Sequence, residues 1–123
     1  GNNLKAFNLG GSHCVVRDCR FYDNRDTGFQ ISRIDDNQTR EFWPGYNLVE
    51  NCESFNNCDP AMINADGFGT KLTSGDGNVY RNCKSHHNLD DGWDCYTKVN
   101  TGAIGAVTLE NCQAYKMGLR LND

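Results

Sequence analysis

One pattern recurs along the chain and is clearest in the stretch Val49-Glu50-Asn51-Cys52-Glu53-Ser54-Phe55-Asn56-Asn57. Each copy has an apolar residue three positions before a cysteine, a charged residue two before it, and Asn or Asp directly before it. The cysteines that anchor the four copies lie at intervals of 33, 31 and 29 residues and are Cys19, Cys52, Cys83 and Cys112. A fixed period of this length is typical of a solenoid protein.

The residues within each copy favour β-structure over helix. Short β-rich runs such as residues 47–50 and 107–110 are separated by Asn and Gly, and a 3.6-residue periodicity is hard to find. We therefore predict an all-β fold, a right-handed parallel β-helix of about four to five coils, with residues 1–123 as a single segment. Coils stacked ~4.8 Å apart would place the four cysteines in one interior column of buried thiols.

Asparagine recurs at a second fixed position of the repeat. Asn24, Asn57 and Asn88 each lie five residues after their cysteine, and the fourth copy has Met117 there. Because asparagine satisfies inward-pointing backbone groups and tolerates left-handed backbone, we predict an asparagine ladder at a turn.

The seven cysteines cannot all pair within the chain, since their number is odd. Cys14, Cys58 and Cys95 fall outside the repeat. Any one pair of these three could form a disulfide, and the spacing does not choose between the pairs.

Charge and composition exclude several classes of protein. The chain has 12 Lys and Arg against 16 Asp and Glu, a net charge of −4, which argues against nucleic acid as a partner. No run of ~18 apolar residues is present, so we expect no membrane-spanning helix and no membrane partner. Apolar residues make up 37% of the chain, and the 13 glycines bring the total to that of a folded domain.

A second alignment gathers acidic residues on neighbouring coils. Residues 26–30 (Asp-Thr-Gly-Phe-Gln) match residues 65–69 (Ala-Asp-Gly-Phe-Gly) and residues 90–94 (Asp-Asp-Gly-Trp-Asp), with residues 59–64 inserted as a loop. The Gly and Phe/Trp positions are interpreted as structural. The acidic residues that converge are Asp66, Asp90, Asp91 and Asp94.

Carboxylates packed this closely repel one another unless a cation lies among them, and several oxygen ligands suit Ca²⁺. We therefore predict one Ca²⁺ site from these four aspartates. The competing interpretation is a set of solvated turn aspartates, since Asp-Gly is an ordinary turn pair.

The same residues carry a resemblance to a known family. Residues 64–72, Gly77-Asn78-Val79 and residues 85–98, which contain Asp90-Asp91-Gly92-Trp93-Asp94, resemble family 9 of the polysaccharide lyases. Those are secreted pectate lyases with a right-handed parallel β-helix. The resemblance implies that the four aspartates bind a catalytic Ca²⁺, that polygalacturonate is cleaved by β-elimination, and that the protein acts outside the cell.

The resemblance also implies a lysine base within a Gly-Phe-Lys-Leu motif, which this chain lacks. Gly118-Leu119-Arg120-Leu121 is one counterpart and makes Arg120 a weak candidate for the base. Its spacing differs, because Gly118 follows its cysteine by six residues whereas Gly28 and Gly92 follow theirs by nine. We therefore expect the base beyond Asp123, in a longer β-helix of which this chain is an internal piece.

Two other features are left open by the sequence. Lys71 could bind a carboxylate of the substrate, and an exposed, solvated lysine is an equal alternative. Trp43 and Tyr46 lie in a loop between coils and could offer a face for stacking on sugars, or could pack down on the coil.

Two function hypotheses therefore remain. The first is a calcium-dependent pectate lyase, or a portion of one, acting on acidic polysaccharide. The second is a non-catalytic β-helical module that binds carbohydrate or builds filaments, since the open strand edges of terminal coils favour end-to-end stacking.

Overall fold

The structure, a computed structural model, describes residues 4–119 and 121. Twelve short strands and one 3₁₀ turn, Arg40–Phe42, make up its regular structure. The strands in chain order are β1 (Phe7–Leu9), β2 (Val15–Arg17), β3 (Arg20–Tyr22), β4 (Phe29–Ile31), β5 (Leu48–Glu50), β6 (Glu53–Phe55), β7 (Phe68–Thr70), β8 (Asn78–Arg81), β9 (Lys84–His86), β10 (Trp93–Asp94), β11 (Val107–Glu110) and β12 (Gln113–Tyr115). Within these residues, no helix has the length and apolar character needed to cross a membrane.

The strands form three parallel sheets, because every third strand along the chain joins the same sheet. Sheet A contains β1, β4, β7 and β10, sheet B contains β2, β5, β8 and β11, and sheet C contains β3, β6, β9 and β12. This is the predicted right-handed parallel β-helix. From β1 to β12 the chain completes somewhat more than three full turns, slightly fewer than the four to five coils predicted, because corner loops such as residues 32–47 use chain length without adding strands.

The predicted cysteine column is confirmed by the register of sheet C. Arg20 pairs with Glu53, Glu53 with Lys84, and Lys84 with Gln113, so the cysteine before each of these residues lies above the next one. The two central thiols, Cys52 and Cys83, are buried, while those of the outer coils are partly exposed. All seven cysteines are free thiols, so the disulfide considered for Cys14, Cys58 and Cys95 is not formed.

Backbone conformation explains the Asn or Asp that precedes each cysteine. These four residues have φ between 52° and 59°, in the left-handed region, and they are Asp18, Asn51, Asn82 and Asn111. Asn and Asp tolerate this region better than other non-glycine residues. The chain thereby turns between sheets B and C at the same point of every coil.

The asparagine ladder is confirmed and is joined by a second one. Nδ2 of Asn24 donates to Oδ1 of Asn57 at 2.9 Å, and Nδ2 of Asn57 donates to Oδ1 of Asn88 at 2.8 Å. At the start of sheet B, Nδ2 of Asn47 donates to Oδ1 of Asn78 at 3.0 Å. This second ladder was not predicted from the sequence, because Cys14 and Val107 occupy the same column on the outer coils.

The glycines before β7 and β10 are required by close contact between sheets A and C. A Cβ on Gly67 would lie 1.9 Å from Oγ of Ser85, and one on Gly92 would lie 2.8 Å from Cβ of Ala114. Oγ of Ser54 donates to the Gly67 carbonyl oxygen at 2.7 Å, and Oγ of Ser85 donates to that of Gly92 at 3.0 Å. The interpretation of these glycines as structural is therefore confirmed.

Aromatic rings form an inner column and an outer stack. The inner column follows sheet A and contains Phe7, Phe29, Phe68 and Trp93. The outer stack follows sheet C with ring centroids 4.9–5.1 Å apart and contains Tyr22, Phe55, His86 and Tyr115. Of the two loop aromatics, Trp43 is buried, whereas Tyr46 is exposed and stacks on His13 with centroids 5.3 Å apart.

Candidate metal centre

The aspartates predicted to bind a cation lie at the corner of the β-helix where the chain enters sheet A. Phe68 pairs with Trp93 and Gly69 with Asp94, so Asp66 and Asp91 occupy one column on adjacent coils. One carboxylate oxygen from each of Asp66, Asp91 and Asp94 lies within 4.8 Å of the others. The structure therefore brings together three of the four predicted ligands.

Asp66 forms the buried floor of this group. Asp66 is 1% exposed, and its Oδ1 accepts a hydrogen bond from the backbone N–H of Asp91 at 3.0 Å. Oγ1 of Thr27, which precedes the matching glycine on the previous coil, lies 3.4 Å from Oδ2. Burial raises the pKa of the Asp66 carboxyl by more than Lys71 and the Asp91 N–H lower it, so burial is the largest influence on this carboxyl.

Asp90 lies beside the three-membered group and outside it. Its backbone N–H donates to the Ala65 carbonyl oxygen at 3.1 Å, which holds this coil against the previous one. Burial, followed by the negative charges of Asp91 and Asp94, raises the pKa of the Asp90 carboxyl. Asp90 therefore contributes to the negative potential of the corner.

Lys71 reaches the same carboxylates. Its Nζ lies 2.9 Å from Oδ2 of Asp66 and 3.3 Å from Oδ2 of Asp94, and its side chain is 15% exposed. Burial alone would lower the pKa of Lys71, but the hydrogen bond that its ammonium donates to Asp66 and the charges of both carboxylates outweigh burial and raise that pKa. Lys71 is thus an ion-paired lysine of the acidic corner, and the alternative of a solvated side chain is wrong.

Asp59 shapes the inserted loop that leads into the site. Its Oδ1 accepts three backbone N–H groups, from Ile63, Asn64 and Ala65, at 2.9–3.2 Å. Burial raises the pKa of Asp59, but these hydrogen bonds more than offset it and the net change is downward. This role was not predicted from the sequence; the available signal was an aspartate opening an insertion, since Asp side chains accept nearby backbone N–H groups in turns.

The donor set suits some metal ions better than others. Two oxygens that bind one Ca²⁺ at about 2.3–2.6 Å can be about 5 Å apart, so the observed spacing allows a shared ion. The three carboxylates are hard oxygen donors, whereas Zn²⁺ prefers His and Cys, which the group does not contain. The residues present therefore fit Ca²⁺.

Arg120, the weak candidate for a base, lies outside the described residues. Gly118 is described, and its N–H donates to the carbonyl oxygen of Asn88 at 2.8 Å. Within residues 4–119 and 121, the acidic corner contains Lys71 as a basic side chain in direct contact with the carboxylates.

Comparisons with known proteins agree with this architecture. The whole chain, residues 1–123, matches the family described as the Pel9A-like, right handed beta helix region. The chain therefore belongs to the Pel9A-like family of right-handed β-helices. A solved structure, the crystal structure of pectate lyase Pel9A, superposes with a TM-score of 0.79 and 31% sequence identity, covering 98% of this chain and 27% of that one.

Curated relatives include three bacterial enzymes. Pectate lyase L of Thermoclostridium stercorarium is 55% identical over 116 residues, which are 94% of this chain and 9% of that protein. Pectate lyase L of Paenibacillus polymyxa (strain SC2) is 46% identical over 89% of this chain and 25% of its own length. Pectate disaccharide-lyase of Dickeya chrysanthemi is 41% identical over 87% of this chain and 14% of its own length. The chain thus spans a quarter or less of these relatives.

Proposed function

We propose that this chain is the calcium-binding part of a pectate lyase that cleaves polygalacturonate by β-elimination outside the cell. The observation that carries the proposal is the convergence of Asp66, Asp91 and Asp94 from adjacent coils. The pectate lyase names of relatives at 41–55% identity support the substrate class, an acidic polysaccharide.

The four aspartates have different parts in this proposal. Asp66 would hold the ion from below, because it is buried and fixed by the Asp91 N–H, while Asp91 and Asp94 would close the ion from the solvent side. Asp90 would add negative charge and would complete the predicted set of four. The bound Ca²⁺ would withdraw charge from the C6 carboxylate of a galacturonate residue and so make its C5 proton more acidic.

Elimination also needs a group that accepts the C5 proton while the C4–O bond breaks and a C4–C5 double bond forms. Lys71 is an unsuitable acceptor, because its ammonium is protonated and ion-paired with Asp66 and Asp94. We propose it instead as a substrate-binding residue. Arg120 is the one sequence counterpart of the family lysine, and it is a weak candidate because its spacing from the repeat cysteine differs. We therefore expect the isolated 123-residue chain to bind Ca²⁺ and to cleave pectate poorly or not at all.

The first test is a calorimetric Ca²⁺ titration of the wild-type chain and of Asp91→Asn. We expect Asp91→Asn to weaken binding about tenfold or more, because it removes one charged ligand of a divalent ion. Asp36→Asn is the matched control, since the Asp36 side chain is fully exposed and does not belong to the group of three carboxylates. Equal effects of the two substitutions would contradict the metal centre.

The second test measures unsaturated uronides by ultraviolet absorbance during incubation with polygalacturonate, with Ca²⁺ or with a chelator. Retention of the chain on immobilised polygalacturonate is measured in the same buffers. Calcium-dependent retention with little cleavage is the expected result. Robust elimination that Arg120→Ala abolishes would identify Arg120 as the base, and retention that ignores calcium would favour a non-catalytic carbohydrate-binding module.

A further inference from the structure

Lys71 and the proposed calcium site use the same oxygen atoms. The ammonium contacts Oδ2 of Asp66 at 2.9 Å and Oδ2 of Asp94 at 3.3 Å. These carboxylates belong to the group whose oxygens lie within 4.8 Å of one another. An ammonium at this place carries one of the charges that a divalent ion would supply.

The absence of a side chain at Gly69 lets the Lys71 side chain run back to the carboxylates. Lys71 follows strand β7, and Gly69 lies two residues earlier on the same face. A Cβ on Gly69 would lie 3.1 Å from Cε and 3.6 Å from Cδ of Lys71, so the stem of the lysine crosses the space that a side chain would fill. Asp94 pairs with Gly69 on the next coil, so a lysine stem that crosses Gly69 brings its ammonium to the Asp94 carboxylate.

We infer that Lys71 is a tethered counter-ion that Ca²⁺ must displace. The inference rests on the proposed calcium site and identifies a residue that limits the affinity of that site for Ca²⁺. An ion about 2.4 Å from the Asp66 and Asp94 oxygens would lie so close to the ammonium that the two cations repel strongly in this partly buried corner. The lysine therefore stabilises the calcium-free chain and weakens calcium binding by competition.

Displacement also makes Lys71 available to a substrate. While paired with Asp66 and Asp94, the ammonium has its charge compensated by the protein. Once Ca²⁺ takes those carboxylates, the freed ammonium lies within a side chain's length of the ion and can bind a galacturonate carboxylate. Substrate binding by Lys71 would thus follow calcium binding.

The experiment compares the wild-type chain with Lys71→Met and Lys71→Arg by calorimetric Ca²⁺ titration. We expect Lys71→Met to bind Ca²⁺ about tenfold more tightly or better, and Lys71→Arg to remain near wild type because it keeps the charge. Lys84→Met is the matched control, since it removes the same charge from an exposed position on sheet C. In chelator, Lys71→Met should also melt at a lower temperature than wild type, and saturating Ca²⁺ should remove that difference.

The possible results separate this inference from the proposed function. A wild-type chain that binds no Ca²⁺ would overturn the calcium site itself. A wild-type chain that binds Ca²⁺, with Lys71→Met binding equally or more weakly, would overturn only the counter-ion role. If Lys71→Met does not fold, Gly69→Ala replaces it, because its Cβ presses on the lysine stem; tighter binding then supports the inference and unchanged binding contradicts it.

Discussion

Asn57 is fully buried and its side-chain amide links three coils. Its Oδ1 accepts the backbone N–H and Nδ2 of Asn24 at 3.2 and 2.9 Å, and its Nδ2 donates to Oδ1 of Asn88 at 2.8 Å. Asn57→Ala would leave buried donors and an acceptor unpaired, so we expect it to lower the free energy of unfolding by about 3 kcal/mol. Urea denaturation measures this, and Asn37→Ala, at an exposed loop position, should change stability by less than about 0.5 kcal/mol.

His87 and His86 share a hydrogen bond between their Nδ1 atoms at 2.6 Å, and Nε2 of His86 lies 2.8 Å from Oε2 of Glu53. Burial, then the charges of His86 and Lys116, lower the pKa of His87 in the folded chain. A histidine with a lowered folded pKa favours folding above its unfolded pKa of about 6.5 and loses that contribution as the pH falls below it.

We therefore expect the melting temperature to fall on acidification below about pH 6.5, and to fall less steeply in His87→Gln, which keeps a neutral polar side chain. Thermal unfolding followed by circular dichroism from pH 8 to pH 5 measures both slopes. Identical slopes in the two proteins would contradict a contribution from His87.

Of the residues at the acidic corner, the aspartates could be predicted from the sequence. The contacts of Lys71 and Asp59 could not. The acidic column could be predicted because the glycine and aromatic positions beside it fix its register. The ion pairs of Lys71 could not, because they depend on the stem crossing Gly69, and a sequence pattern shows no side-chain direction beyond a strand end. The hydrogen bonds of Asp59 depend likewise on how the inserted loop folds back.

Between elements, the glycine column sets how closely sheet A approaches sheet C. Gly67 has an ordinary backbone conformation, so the effect of Gly67→Ala is steric: its Cβ would meet Oγ of Ser85 at 1.9 Å and the Gly92 carbonyl oxygen at 2.9 Å. We expect a loss of about 3 kcal/mol in the free energy of unfolding, at the upper end for overpacking. Gly11→Ala has a nearest contact at 3.4 Å and should stay within about 0.5 kcal/mol of wild type. Equal stability of the two variants in urea would show that the sheets can separate at little cost.

The elements themselves could be predicted wherever a column repeats one residue type. The cysteine pattern gave the register of sheet C, since the residue after each cysteine begins a strand. The second asparagine ladder could not be predicted in the same way, because Asn47 and Asn78 provide only two copies of their column. The number of turns was overestimated because chain length does not distinguish strands from corner loops.

In the molecule as a whole, each sheet has an outer strand at both ends, and among the described residues each of these strands pairs on one side only. Large apolar side chains are exposed on both outer coils, including Phe7 and Val15 on the first and Leu109 and Tyr115 on the last. Unpaired strand edges beside apolar surface favour association. We expect the isolated chain to form end-to-end oligomers as its concentration rises from about 1 to 100 μM. Sedimentation velocity measures this, and a monomer throughout would argue against the filament hypothesis.

The unequal repeat intervals of 33, 31 and 29 residues have a consequence for tolerance to insertion. The distance from cysteine to ladder asparagine is constant wherever that asparagine occurs, so every change in length falls in the corner loops. Four Gly-Ser residues inserted between Asp36 and Asn37 should therefore leave the melting temperature within a few degrees of wild type, whereas one residue inserted between Ser54 and Phe55 should abolish cooperative unfolding. Loops at the acidic corner can accordingly change in length and sequence without disturbing the stacked columns that keep the protein folded.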